Sequence, residues 1–250
     1  MSSMSRSSMP RSSNRSSNRT SSVPGPPTGS LTPARRVGLA LWAVQVLYVP
    51  VELLAAALST APYSLLHNTM SDLGATACTT VPYPAQDVPV CSPAHAWVNA
   101  SFVLFGLAMA VGAVLLRPLL PDGRTTTAAV VLWVVAGASS VGAGLTPLDR
   151  ALELHALVST PGIVVSGAAV ALTGGALARS WRRPAWWWLV AVGAVGLVAG
   201  ALLVVRLDVR WGGLLERVAL WPSFAACTLV AVALLVRARR GAAPRAVQSR

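Results

Sequence analysis

Six apolar stretches, at about 37–58, 94–116, 127–145, 154–178, 186–205 and 214–236, leave this chain few ways to fold. Each approaches the ~20 residues a helix needs to cross roughly 30 Å of hydrocarbon. Breakers separate them: Pro62, Pro82, Pro84, Pro89 and Pro93, then Pro118 and Pro121, Pro147, Pro184, and the pair Gly212-Gly213. Hydrocarbon offers no partner to an open backbone amide, so only helices and closed barrels cross it. Strands with period-2 alternation are absent, which argues against a barrel. The expectation is an all-α protein, a six-helix transmembrane bundle. Charge supports it, because only 11% of residues are charged against about 25% in a soluble domain.

The distribution of charge orients the bundle. Sixteen of the twenty arginines fall in the N-terminal tail, the second and fourth loops and the C-terminal tail. The remaining loops hold only Arg150, Arg206, Arg210 and Arg217, yet they lie beside seven of the eight carboxylates, Asp122 being the exception. Arginine accumulates on the cytoplasmic side, so the expected protein is a multi-pass protein of the cell membrane with both termini cytoplasmic. A net charge of +12 placed in tails and short loops does not point to nucleic acid. It points to anionic lipid of the inner leaflet, reached by the arginine-rich tails. A protein partner cannot be named.

Three regions follow. Residues 1–34 form an Arg/Ser/Pro-rich tail, with the repeat Arg11-Ser-Ser-Asn-Arg15-Ser-Ser-Asn-Arg19, too polar to bury a core and expected to be disordered. Because the first apolar stretch starts only near Val37 and is long enough to span, the tail is expected to stay attached rather than serve as a cleaved signal. Residues 35–237 form the membrane domain, and 238–250 a basic cytoplasmic tail.

Candidate chemistry gathers at the outer face. The first outer loop carries His67, Asn68, Ser71 and Asp72, where Ser71 or Thr69 would cap a short interfacial helix. Ser92-Pro93 would start the second span, putting His95 and Asn99 four residues apart on one face. Asp149 and His155 open the fourth span, Glu216 and Arg217 the sixth, with Pro161 poised to kink the fourth. Adjacent residues do not face each other, so Glu216 and Arg217 should seek partners on other helices. Glu52, in the outer third of the first span, is the costliest placement and calls for Arg217 or Arg206 as its partner. Cys78 and Cys91 share the outer loop, where a disulfide persists. Cys227 lies inside the sixth span as packing.

His67, Asp72, His95 and His155 would hold Zn²⁺ if they converged, although no local ligand spacing such as His-x-x-x-His is present. A phosphate loop, a nucleophile elbow and a paired-cysteine metal motif are likewise missing. In the fifth span, Gly196-x-x-x-Gly200 reads as a helix-packing signal.

The stretch His67-Asn68-x-x-Ser71-Asp72-Leu73-Gly74, followed by Cys78, resembles an uncharacterised family of integral membrane proteins, domain of unknown function 998. The likeness runs from about 37 to 237 and takes in His95 with Asn99, His155, and Glu216-Arg217. It implies a six-helix bundle and no particular activity. The leading function is a non-catalytic envelope protein, structural or regulatory. Its alternatives are an outer-face, metal-assisted hydrolase or transferase acting on a lipid-like substrate, and a small-solute transporter. The third is weakened by how few polar residues, Ser139, Ser140, Ser166 and Thr173, lie within spans two to five.

Overall fold

The computed structural model describes residues 31–84, 86–205 and 209–242. The tail expected to be disordered lies outside them, as do Arg206, Asp208 and the end of the C-terminal tail. Among the described residues six helical stretches are long and apolar enough to cross a membrane. The first combines α1 (Pro33–Ala43) and α2 (Tyr48–Leu58); the others are α3 (His95–Leu116), α4 (Arg124–Leu145), α5 (Leu152–Trp181), α6 (Trp187–Val205) and α7 (Gly212–Ala242).

Local chemistry explains where these helices begin and break. Thr32 caps α1 by accepting the Arg35 N–H, and Pro33 occupies the first turn, where its missing N–H costs nothing. The helices thus begin at Pro33 and run to Ala242. Pro50 cannot donate to the carbonyl one turn back, and the preceding residues Gln45–Leu47 tighten into a 3₁₀ turn. Two side chains stitch this break to its neighbours: Gln45 Nε2 donates to the Phe105 carbonyl at 3.0 Å, and Thr228 Oγ1 accepts from Val46 N at 3.2 Å. Pro161 interrupts α5 similarly. There Ser139 of α4 inserts its hydroxyl into the ladder, accepting from Gly162 N at 2.8 Å and donating to the Val158 carbonyl.

Each spanning helix from α3 onward packs on the next, and α7 returns to α1, so the bundle closes. Its interior is apolar, with Trp42, Tyr48, Trp133, Leu177 and Leu189 almost fully buried. The outside is apolar too. On α3, Leu104, Leu107, Val111 and Val114 form an exposed stripe at helical spacing, a face suited to lipid rather than water. The two glycines of Gly196-x-x-x-Gly200 divide between neighbours. A Cβ at 200 would come 2.6 Å from the Ile163 carbonyl of α5, whereas one at 196 would lie 3.4 Å from Ala219 of α7.

Candidate functional site

Residues 59–84 and 86–94 fold back over one end of the bundle as a cap. Within it the chain forms a short antiparallel hairpin, β1 (Thr79–Pro82) with β2 (Asp87–Val90), that the hydrophobic pattern did not announce. Val81, Val88 and Val90 turn inward onto Ala75 and Leu148, giving the cap its own small core. Cys78 and Cys91 are bonded at the hairpin's base, their Cα atoms 4.1 Å apart. Beside it the buried carboxylate of Asp149 accepts from Thr76 N at 3.0 Å, Thr76 Oγ1 at 2.9 Å and Ala77 N at 3.2 Å. Asn99 of α3 donates to the Gly74 carbonyl at 2.8 Å.

The Ser-Asp-Leu-Gly stretch forms a 3₁₀ turn, Ser71–Gly74. Ser71 is its first residue rather than its cap, and Met70 before it makes no side-chain bond, but Thr69 does cap the turn: its Oγ1 accepts the Asp72 amide at 3.2 Å. Asp72 returns that bond and organises the turn. Its carboxylate accepts from Thr69 N at 2.9 Å, Tyr83 Oη at 2.5 Å and Asn68 Nδ2 at 3.3 Å. Burial pushes the Asp72 carboxyl above the usual carboxylate range, more than these donors pull it back. Burial and the neighbouring Asp72 likewise push the Tyr83 phenol up. Ser92 is not the cap of α3 either, since Ala94 takes that place without a side-chain bond; the Ser92 carbonyl instead receives the His95 amide.

With Asp72 fixing the turn, Ser71 meets His155. His155 Nδ1 lies 2.7 Å from the Thr146 carbonyl, and its Nε2 lies 2.9 Å from Ser71 Oγ. A carbonyl can only accept, so Nδ1 carries the hydrogen, and in the neutral ring Nε2 offers a lone pair to the serine hydroxyl. The hydroxyl of Ser159 lies one turn further along α5.

Two adjoining hollows meet here. One, of about 50 Å³, lies inside the bundle against Phe102, Met109, Ile163 and Phe224. The other, of about 150 Å³, runs between α5, the end of α6 and the cap, against Leu152, Ala156, Leu203 and Val204. Ser71, Ser159, Ile163 and Glu216 line both.

Glu216 and Arg217 divide as their adjacency requires. Glu216 accepts the Met70 amide at 2.5 Å, fixing the backbone directly before Ser71. Arg217 turns the other way, donating to the carbonyls of Leu65, Asn68 and Gly213 at 2.6, 2.9 and 2.9 Å and to Tyr63 Oη at 2.6 Å. Its Nη2 also stands 2.8 Å from Glu52 Oε1, off the hydrogen-bonding direction, so this contact is an ion pair. The other Glu52 oxygen accepts from Trp221 Nε1 at 2.8 Å. First span, last span and cap are thus tied at one buried guanidinium.

His67 and His95 take no part in the serine–histidine contact. His67 is exposed and packs its ring on Trp211, with 5.7 Å between centroids. His95 Nδ1 lies 2.9 Å from the carbonyl of Ser92, in its own loop. Among the described residues no group of three or more His, Cys, Asp or Glu is gathered as a metal site. The four hydroxyls expected within spans two to five are bound to neighbouring groups. Ser140 donates to the Phe102 carbonyl, Ser166 to that of Gly162 and Thr173 to that of Ala169, while Ser139 occupies the break in α5.

Sequence reasoning missed Tyr63 and Tyr83, although the chain has only three tyrosines and two fall in this one loop. It also placed His155 in the outer-face group without pairing it with Ser71. No curated protein and no solved structure gave a match to the chain. A family model does match, over residues 38–233, which takes in the cap and nearly all of the bundle. The chain belongs to the family described as protein of unknown function DUF998.

Proposed function

We propose that this is a cell-membrane hydrolase or transferase in which Ser71 and His155 act on an ester-bearing lipid at the capped end of the bundle. The contact between Ser71 Oγ and His155 Nε2, at the mouth of an apolar hollow, carries the reading. The hollow takes the ester and the first carbons of its chain, and the remainder stays in the bilayer. The arginine partition supports a capped end outside and termini in the cytoplasm, and a cystine at that end agrees.

In the reaction, Ser71 Oγ bonds to the ester carbonyl carbon while its proton passes to His155 Nε2. The same proton then goes to the departing alkoxide oxygen as that C–O bond breaks, leaving an acyl group on Ser71. Water, or an alcohol acceptor, attacks the acyl carbon and gives its proton to His155, which returns it to Oγ. Thr146 holds the ring in the tautomer this requires. Glu216 is a positioning residue, acting through the Met70 amide.

The test is covalent labelling of the full chain in lipid nanodiscs with a fluorophosphonate. Label on Ser71 by peptide mass spectrometry, lost in Ser71→Ala and reduced at least about tenfold in His155→Gln, is the expected result. An unlabelled wild-type protein with its Cys78–Cys91 bridge intact would overturn the enzymatic reading and leave the pair as a fastener of the cap.

A further inference from the structure

At the opposite end of the bundle α5 stops abruptly. Arg182 is its C-cap, in the left-handed region at φ 51°, and Pro184 begins a new 3₁₀ turn two residues later. This reversal sets Trp186 against Trp181 edge to face, with centroids 5.3 Å apart. The last turns of α7 run alongside, and the guanidinium of Arg237 lies over the Trp181 ring, 5.0 Å from its centroid. Positions 233, 236, 237 and 240 share one face of that helix. Together these elements surround a hollow of about 610 Å³ lined by Arg183, Arg237 and Arg240, by the two tryptophans, and by an apolar wall including Val236. Among the described residues no carboxylate lines it.

We infer that this hollow is a binding site for a phospholipid with an anionic head group. Three guanidiniums with no carboxylate beside them among the described residues match a phosphate diester, which arginine grips through paired N–H donors. Tryptophan belongs at the depth where head groups lie, and basic pockets between helix ends are suited to them. The wall decides between a lipid and a free anion. Val236 and Val232 are exposed on the same end of α7, and Trp187 and Trp188 are exposed beside the hollow. An acyl chain leaving the hollow therefore has an apolar surface to follow, which a free phosphate would not use. The site is independent of the reaction at the capped end, and it is a defined pocket rather than the diffuse attraction of the tails.

Native mass spectrometry of the full chain, titrated in detergent with phosphatidylglycerol or phosphatidylcholine, tests it. The wild type should retain phosphatidylglycerol preferentially. Arg237→Gln with Arg240→Gln should weaken that binding by roughly tenfold or more. Arg124→Gln with Arg239→Gln removes the same charge from residues outside the hollow and should leave binding close to wild type. Equal losses in the two variants, retention of both lipids alike, or displacement of the lipid by inorganic phosphate would each overturn the assignment.

Discussion

Asn99 and Gly74 fit each other in two ways at once. The Asn99 amide donates to the Gly74 carbonyl at 2.8 Å, and its Oδ1 stands 2.5 Å from where a side chain on residue 74 would begin. The last residue of the Ser-Asp-Leu-Gly turn is therefore read by α3, and the cap is seated without slack.

Gly74→Ala should unseat it. Forcing a methyl group into a filled site costs about 1–3 kcal/mol, and thermal unfolding in detergent should report a lower midpoint. Because the clash is with Asn99 itself, Gly74→Ala combined with Asn99→Ala should cost less than the sum of the single changes.

Arg217 should prove the least replaceable side chain of the membrane domain. Arg217→Met leaves Glu52 buried without its cation, and breaking such a pair costs about 3–5 kcal/mol. Glu52→Gln in the same chain removes the stranded charge. The double variant should be more stable than Arg217→Met alone, by denaturant titration in micelles.

The Cys78–Cys91 bridge closes a short loop, with the two residues 13 apart in sequence. On the chain-entropy account such a closure stabilises by about 3 kcal/mol. Cys78→Ser with Cys91→Ser should lower the unfolding midpoint, and the wild type should take up alkylating reagent at both thiols only after reduction.

Stability should also respond to pH through Asp72. Its folded carboxyl is raised, so at a given pH the folded cap holds a proton more readily than the unfolded chain does. That contribution is complete below the ordinary aspartate value of about 3.9 and fades as pH rises through the folded value. The unfolding midpoint of the wild type should therefore rise on mild acidification by more than that of Asp72→Asn.

Orientation is open to direct measurement. With Thr80→Cys in the hairpin and Gly123→Cys in the loop between α3 and α4, an impermeant maleimide added to intact cells should label the first and not the second. Both changes need a background free of other reactive thiols.

Much of this molecule was legible in the chain because its rules are local. A span declares itself by length and apolarity, and a buried Glu52 announces that some cation must reach it. Arg217 was one of two candidates for that reason. The mutual geometry of the cap was less accessible. Ser71 and His155 are separated by 84 residues, and nothing near either one encodes which hydroxyl the imidazole will meet. The hairpin was invisible for another reason: four-residue strands interrupted by Pro82 and Pro89 are too short to show a period. Ser139 was legible only as a polar residue in a helix; its place in α5 depends on the gap Pro161 makes in a different helix.

The tie between Glu52 and the last span also sets an order of events during synthesis. Trp221, which with Arg217 satisfies that carboxylate, lies 169 residues further along the chain. At ribosomal speeds of about 5–20 residues per second, Glu52 waits roughly ten to thirty seconds for its partners. Throughout that interval the nascent first span carries an acid that the bilayer core disfavours. A ribosome that stalls or a transcript cut short before α7 would leave it permanently unanswered, a buried acid with neither cation nor indole to meet it.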